Sequence, residues 1–457
     1  MTHLFHPSIL REYDIRGIMG ETLSANDAEA IGRAFASLVI DRGGRRVCVG
    51  RDGRLSSPEL EERLITGLVS CGLTVHRIGL GPTPMLYYAT HVMPVDGGIM
   101  VTGSHNPPNH NGFKMVLGGK PFFADQIWEL GRLAAAGTGK SRPDGAVIHT
   151  PVMDQYVERL LADYDGRQPL TVVWDAGNGA AGEVMTRLAK ALPGTHVLLN
   201  AEIDGTFPAH HPDPTDPENL AQLIDAVRRH GADLGVAFDG DGDRIGVVDP
   251  KGRILWGDQM LMLLAEDMLT SRPGAMVLAD VKSSQALFDH ITALGGVPAM
   301  CRTGHALVKT RMAETGAALA GEMSGHIFFA DRYYGFDDAL YAAVRFISLV
   351  ARWQDVSLAE RYDGLPRFYN TPELRIPCAD ERKFAVVAEV RQRLAKANAR
   401  ICDVDGVRVT TEDGWWLLRA SNTQAVLVAR CESATPDGLE RLRRTLTEQL
   451  AASGLAY

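Results

Sequence analysis

Apolar positions along this chain gather into short, nearly continuous runs that alternate with amphipathic stretches. The pattern occurs three times. Val47-Cys48-Val49-Gly50 leads into Arg51-Asp52-Gly53 and a helical pattern from about Ser57. Thr171-Val172-Val173-Trp174 leads into Asp175-Ala176-Gly177-Asn178-Gly179 and a helix through Leu188. Ala275-Met276-Val277-Leu278 leads into residues 280–284 and a helix through Leu294. Short β-branched runs between helices predict parallel strands covered on both faces. A second strand is predicted in each unit, over residues 98–101, 234–238 and 317–320, and each ends in a polar loop. Open α/β sheets bind ligands beyond the carboxyl ends of their strands, so these loops are expected to face one shared cleft.

From about Arg367 the pattern changes. A strand is predicted over residues 371–376, a helix over 381–397 and a strand over 406–409. Then Trp415-Trp416-Leu417-Leu418-Arg419 and Ala425-Val426-Leu427-Val428-Ala429 flank the turn Ala420-Ser421-Asn422-Thr423-Gln424. This mixture predicts a small α+β domain. Breaks near Thr150-Pro151, Pro250-Lys251-Gly252 and Gly364-Leu365-Pro366 divide the chain into domains at 1–150, 151–250, 251–366 and 367–457. The expected fold is three similar mixed α/β domains plus a smaller C-terminal α+β domain around a central cleft.

Composition narrows the function. With 45% hydrophobic and 23% charged residues the chain is not globally disordered. Its 47 Lys and Arg against 56 Asp and Glu give a net charge of -9, which argues against non-specific nucleic-acid binding. Small phosphorylated ligands stay open, since local clusters capture them. The six cysteines show neither CxxC nor metal-ligand spacing, as expected of reduced core thiols. No signal-peptide pattern opens the chain, and the best membrane candidate, residues 341–351, is interrupted by Arg345. A cytoplasmic protein with no membrane or nucleic-acid partner is expected.

The strongest chemical signal is Asp239-Gly240-Asp241-Gly242-Asp243. Three carboxylates on alternate residues repel one another and demand a cation or a large pKa shift. An all-oxygen set selects a hard ion, Mg²⁺ first. An EF-hand is eliminated because Arg244 and Pro250 stand where it needs Gly and Glu. The loop Thr102-Gly103-Ser104-His105-Asn106-Pro107-Pro108-Asn109-His110-Asn111-Gly112-Phe113-Lys114 does not fit G-x-S-x-G. It fits a serine carrying a phosphoryl group between cations, and alone it fits a plain Asx/Pro turn equally well. Gly321-Glu322-Met323-Ser324-Gly325-His326 offers alternating groups for sugar hydroxyls, or a surface turn. Arg419-Ala420-Ser421-Asn422-Thr423 offers a phosphate cradle, or a hairpin turn. Gly137-Thr138-Gly139-Lys140-Ser141 looks like a P-loop ending, but it lacks the first glycine and follows a helix, so a helix C-cap is expected. His210 and His211, in a Pro/Asp-rich loop, read as polar surface.

Taken together and in order, Tyr13-Asp14-Ile15-Arg16-Gly17, the Ser104 loop, the aspartate loop, Gly304-His305, the Glu322 loop and the Arg419 turn resemble the α-D-phosphohexomutase superfamily, most closely its bacterial phosphomannomutase/phosphoglucomutase branch. The resemblance implies an isomerase that interconverts hexose 1-phosphate and hexose 6-phosphate, of mannose or glucose, through a phosphoserine and a hexose 1,6-bisphosphate. It implies Ser104 as phosphoserine and, with Asp239, Asp241 and Asp243, as the Mg²⁺ site. Glu322 and Ser324 would hold sugar hydroxyls, and Arg419, Ser421, Asn422 and Thr423 the phosphate that is not reacting. Tyr13, Arg16, His105, Lys114, Arg244, Lys282, His305 and His326 would line the cleft, with Lys114 the first choice of acid or base and His305 or His326 next. A hinge near Pro366 would close the C-terminal domain. Phosphoglucosamine mutases and a phosphoserine-dependent sugar phosphatase are the alternatives; Gly242 and Met323 favour the mannose/glucose branch. Sugar phosphates are the expected partners, and a monomer or weak homo-oligomer the expected assembly.

Overall fold

A computed structural model describes residues 2–137, 142, 144–422 and 424–456. The chain forms two compact units, one of residues 1–260 with 324–363 and the other of 261–323 with 364–457.

The first unit opens with β1 (Ile15–Ile18), α1 (Ala25–Asp41), β2 (Arg46–Arg51), α2 (Ser57–Ser70), β3 (Thr74–Leu80), α3 (Thr83–Val92), β4 (Gly97–Val101), β5 (His110–Leu117), β6 (Lys120–Phe122), α4 (Asp125–Ala136) and β7 (Ala146–His149). The strands form a sheet of order β1-β5-β4-β2-β3-β7, with β6 on β5. The central strands are parallel, Cys48 standing between His76 and Gly98. Every residue of β4 is buried, as a strand covered on both faces requires. Ser24 and Asp27 start α1 with a reciprocal capping box, which satisfies two amide donors at the helix entrance. Phe35, Leu64, Val49, Ile99 and Phe113 share one core, so helices and sheet are fixed together. From β4 the chain turns back antiparallel, Val101 opposite Phe113, and residues 102–109 form the loop at that reversal.

A second sheet follows the same plan. It contains α5 (Met153–Leu161), β8 (Leu170–Asp175), α6 (Gly182–Ala191), β9 (Gly194–Leu199), α7 (Ala221–His230), β10 (Leu234–Phe238), β11 (Ile245–Val248) and β12 (Ile254–Leu255). Its order is β12-β11-β10-β8-β9, with β8 parallel to both neighbours and β10 reversing into β11. The aspartate loop spans that reversal, Phe238 facing Ile245. The unit is completed by the strand Ile327–Phe329 and the helix Ala339–Arg352, which is buried along almost its whole length.

In the second unit, α8 (Gly257–Ser271, from Leu261 onward), β13 (Met276–Asp280), α9 (Gln285–Ala293), β14 (Val297–Cys301), α10 (His305–Thr315) and β15 (Leu319–Gly321) give a third α/β arrangement. Leu278 pairs in parallel with Ala299 on one side and Ala320 on the other. The C-terminal strands Arg400–Cys402, Val407–Thr411, Gly414–Ala420 and Val426–Ser433 pair antiparallel in chain order. The helices Asp380–Lys396 and Pro436–Ala451 bury Val386, Val390, Leu442 and Leu446 against Trp416 and Leu418. Three α/β domains and a C-terminal domain are therefore present, with mixed sheets in the first two and an antiparallel sheet in the last.

Two strand expectations shift. The strand expected over 317–320 runs Leu319–Gly321. The one expected over 371–376 splits into Tyr369–Asn370 and Leu374–Pro377, because Pro372 has no N–H for the ladder. Of the P-loop look-alike, Gly137 ends α4 in a left-handed cap with φ 73; residues 138–141 lie outside the described residues. No described helix is long and apolar enough to cross a membrane.

Candidate active site

Ser104 and the three aspartates meet within the first unit. Both of their loops sit where a buried parallel strand reverses, so each is anchored at two strand ends. The loops touch: a Cβ on Gly240 would fall 2.4 Å from the Ser104 carbonyl oxygen, so only glycine permits this approach. Ser104 is buried and has a left-handed backbone, φ 49. Its amide is bonded to Thr102 Oγ1 at 2.9 Å. Its hydroxyl donates to Asp239 Oδ2 at 3.2 Å and lies 3.3 Å from His105 Nδ1.

The aspartates differ in their surroundings. Asp239 Oδ1 accepts the amides of Asp243 and Arg244 at 3.1 and 3.2 Å. Burial, with Asp243 and Asp241 beside it, raises the Asp239 carboxyl well above the usual range. Asp241 Oδ2 accepts from Lys114 Nζ at 2.8 Å and from Thr83 Oγ1 at 2.5 Å. Burial and Asp243 push Asp241 up, but Lys114 and Thr83 prevail and it lies below the usual range. Lys114 Nζ also bonds Asp243 Oδ2. Burial disfavours the ammonium, yet Asp241 and Asp243 outweigh it and keep Lys114 protonated.

One oxygen from each aspartate lies within 4.8 Å of the others, and Asp241 Oδ1 is buried with no hydrogen-bond partner. A desolvated carboxylate oxygen without a donor is costly, and a cation is what such an oxygen accepts. The three carboxylates thus fit a hard divalent ion.

Cationic groups close around Ser104. Arg16 Nη1 donates to the Gly103 carbonyl at 3.2 Å and to Asn106 Oδ1, while its Nη2 pairs with Asp14. His105 is held well below the usual imidazole range by desolvation and by Arg244, Arg16 and Lys114, and so is uncharged. Arg244 Nε donates to His326 Nε2 at 3.4 Å. His326 Nε2 is also 3.4 Å from Asp243 Oδ1, and its Nδ1 is 2.9 Å from Ser324 Oγ. Tyr13 is half-buried just before β1. Of the expected site residues, the first unit therefore assembles Ser104, His105, Arg16, Lys114, Arg244, Ser324, His326 and the aspartates.

The second unit assembles others. Glu322 Oε1 accepts the Gly304 amide at 2.6 Å, next to His305, whose Nδ1 is 3.1 Å from Lys309 Nζ. Asp405 Oδ2 accepts the Thr303 amide at 3.1 Å and Arg419 Nε at 2.9 Å. Lys282 Nζ pairs with Glu373 at 3.0 Å and lies 3.8 Å from Asp280. Thr303 Oγ1 donates to Asp280 Oδ2 at 3.3 Å, so Lys282, Glu322, the His305 loop and Arg419 share one polar network. Ser421 Oγ accepts the Gln424 amide at 3.2 Å, and Asn422 is half-buried beside it; Thr423 lies outside the described residues.

Several residues of these networks carry no signal in sequence. Thr83 and Asp405 are ordinary turn and cap types that act through distant partners. His210 reads as surface, yet its Nε2 is 3.0 Å from buried Asp175, which raises the imidazole above its usual range although burial opposes it. Asp52 and Arg54 are buried beneath the Ser104 loop, a placement that only the folded chain reveals.

The chain matches four consecutive family models. These are phosphoglucomutase/phosphomannomutase alpha/beta/alpha domain I over residues 7–161, domain II over 154–252, domain III over 256–369, and the C-terminal domain over 373–449. It is 45% identical to a phosphomannomutase/phosphoglucomutase of Pseudomonas aeruginosa over 97% of this chain and 96% of that one. A solved phosphoglucomutase/phosphomannomutase family protein from Burkholderia thailandensis is 44% identical, with a TM-score of 0.93, covering 99% of this chain and 98% of that one. The fold extends to an Aspergillus fumigatus N-acetylphosphoglucosamine mutase solved with GlcNAc-6P and magnesium, at 13% identity and a TM-score of 0.62, covering 98% and 97%. A serine between an acidic trio and a ring of cations, on this fold and with these relatives, places the chain in the phosphoglucomutase/phosphomannomutase family of the α-D-phosphohexomutase superfamily, a family of isomerases.

Proposed function

We propose that this chain interconverts the 1-phosphates and 6-phosphates of mannose and glucose, with Ser104 carrying the phosphoryl group. The observation that supports it is the Ser104 hydroxyl, 3.2 Å from Asp239 of the aspartate trio and 3.3 Å from His105, which itself lies in the field of Arg16, Lys114 and Arg244. Phosphoryl transfer needs positioning and charge neutralisation more than covalent chemistry from the protein, and these residues supply both. Asp239, Asp241 and Asp243 would hold Mg²⁺, whose chemistry when bound is to neutralise the phosphoryl charge.

In the forward direction the phosphorus leaves Ser104 Oγ for the free hydroxyl of a hexose phosphate. The hydroxyl proton leaves the sugar, and the serine oxygen recovers a proton. Lys114, pinned as an ammonium by two carboxylates, is suited to donate a proton or a hydrogen bond rather than to abstract one. We assign the accepting role to His326: the hydrogen bond from Arg244 marks Nε2 as its unprotonated nitrogen, able to take a proton once Arg244 turns to the phosphoryl oxygens. The resulting hexose 1,6-bisphosphate presents its other phosphate to Ser104 in the return step. Arg16 and Arg244 would hold the phosphoryl oxygens. Glu322 and Ser324 are assigned to sugar hydroxyls, and Arg419, Ser421, Asn422 and Thr423 to the phosphate that is not transferred, with Tyr13, Lys282 and His305 as further binding residues.

The test is incubation with glucose or mannose 1-phosphate, Mg²⁺ and a trace of glucose 1,6-bisphosphate. Formation of the 6-phosphate without free phosphate is expected. Free phosphate in its place would make the chain a phosphatase and overturn the proposal.

A further inference from the structure

The loop bearing Ser104 is laid over a single buried guanidinium. Arg54, in the turn between β2 and α2, is 1% exposed. Its Nη2 donates to the carbonyls of Ser104 and Asn106, both at 2.6 Å, and its Nη1 to those of Pro107 at 2.5 Å and His110 at 3.0 Å. Asp52 is its counter-charge, with Oδ2 3.2 Å from Arg54 Nε. The same oxygen accepts the Gly103 amide at 3.1 Å, and Asp52 Oδ1 accepts the Arg54 amide and the Ser57 hydroxyl. The Phe207 ring covers the guanidinium at 5.0 Å. A Cβ on Gly103 would stand 2.4 Å from Arg54 Nε and 2.5 Å from Cζ, so the backbone rests directly on the cation.

The four guanidinium donations and the bond from the Gly103 amide to Asp52 all go to loop backbone, and they straddle the residue whose backbone is strained. A serine at φ 49 persists only where its surroundings over-determine it. Arg54 grips its carbonyl and the next ones along, while Asp52 grips the amide just before it. A planar fork with two NH₂ groups reaches four carbonyls at fixed angles; an ammonium has one centre and cannot.

We propose that Arg54, braced by Asp52, is a positioning residue for the nucleophile. It fixes the left-handed backbone of Ser104 and through it the direction of Oγ toward Asp239 and the surrounding cations. It touches no reacting atom, and its role rests on the phosphoserine reading of Ser104.

The test uses the full-length chain and its Arg54→Lys, Arg54→Ala and Gly103→Ala variants. Each is mixed with glucose 1,6-bisphosphate and Mg²⁺ and quenched at intervals, and phosphate on Ser104 is followed by intact mass. Thermal unfolding and KM for glucose 1-phosphate are measured on the same samples. In Arg54→Lys the single-turnover rate is expected to fall about a hundredfold, the cost of a misaimed reacting atom, with KM little changed and the protein folded. Gly103→Ala, whose Cβ would press directly on the guanidinium, is expected to show the same split between kcat and KM. Added guanidinium ion should restore part of the rate of Arg54→Ala. Wild-type phosphorylation rates in folded Arg54→Lys, or losses that only track the unfolded fraction and ignore guanidinium, would overturn the proposal. Failure of the unmutated chain to acquire phosphate on Ser104 would instead overturn the phosphoserine reading itself.

Discussion

Ser104 and Lys114 are the residues to which the proposed function assigns the chemistry, and each has a distinct signature on removal. Ser104→Ala deletes only one oxygen from a well-packed loop, so stability should stay within about 1 kcal/mol. Turnover should fall by at least about a thousandfold, because the covalent carrier is gone. Kinetics beside a thermal melt check this, and near-normal turnover would remove the phosphoserine from the mechanism. Lys114→Met acts oppositely on stability. It strips the ammonium from Asp241 and Asp243, both fully buried, and breaking such a pair costs about 3–5 kcal/mol. Because Mg²⁺ would be held by these carboxylates, millimolar Mg²⁺ should raise the melting temperature of Lys114→Met more than that of the unmutated chain. Equal shifts in a thermal-shift titration would show that ammonium and metal do not share ligands. The aspartates and Ser104 are legible from sequence because their alternation and loop context have few structural explanations. Arg54 is not: it follows a strand by a few residues, reads as solvated charge, and finds its partners only after 50 residues of intervening chain have folded.

At the level of elements, the reversals β4–β5 and β10–β11 are what make the site. Continuous apolar runs announce β2, β4, β8, β10 and β13, since a strand buried on both faces admits few polar residues. The short strands near Thr371 and the shift at residues 319–321 are set by a proline and by register, to which periodicity is blind. The helix Ala339–Arg352 carries a feature equally hidden in sequence. Its N-cap Asp338 accepts the Tyr341 amide and the Tyr156 and Tyr333 hydroxyls, each at 2.9 Å. Burial nonetheless pushes its carboxyl up to about 7, the three hydrogen bonds offsetting only part of the desolvation. The folded chain therefore binds this proton up to near pH 7, whereas the unfolded chain releases it near pH 4. Between those values the native state holds more protons, so stability falls as pH rises, by about 4 kcal/mol from this group alone. Asp338→Asn keeps an acceptor for the cap and removes the titration. Urea unfolding at pH 5 and pH 7.5 should show a smaller loss of stability with rising pH in the variant, and an unchanged slope would mean that the carboxyl is ionised throughout.

For the whole molecule, the informative division is the membership of the second unit, where residues 364–457 are compact with 261–323. A hinge near Pro366 is expected to let the C-terminal domain move, yet the segment beyond it is clasped. Arg408, 1% exposed, donates to the carbonyls of Val281 and Ser283 at 2.8 and 2.7 Å and stacks on Trp415 at 3.7 Å. Burial brings its guanidinium down to about 10, still charged at neutral pH. Arg430 reaches the Lys282 carbonyl, and Glu432 accepts from both the Gln285 amide and the Trp415 indole, at 2.9 and 2.8 Å. Val281 packs with Trp415 and Leu417, so the clasp has a small dry core of its own. Rotation about Pro366 relative to residues 281–285 would break these charge-assisted bonds, which couples the C-terminal strands to the loop carrying Lys282. Arg408→Met retains much of the bulk, deletes the donors to Val281, Ser283 and Gln285 and leaves two carbonyls in want of them, a loss of about 3–5 kcal/mol confined to this contact. The C-terminal core of Trp416, Leu418, Val386 and Leu446 is untouched by the change. Calorimetry should accordingly resolve an early transition in Arg408→Met, belonging to residues 367–457, that is merged with the main one in the unmutated chain. A single transition displaced as a whole would show that the C-terminal domain and the third α/β domain remain one cooperative body without the clasp.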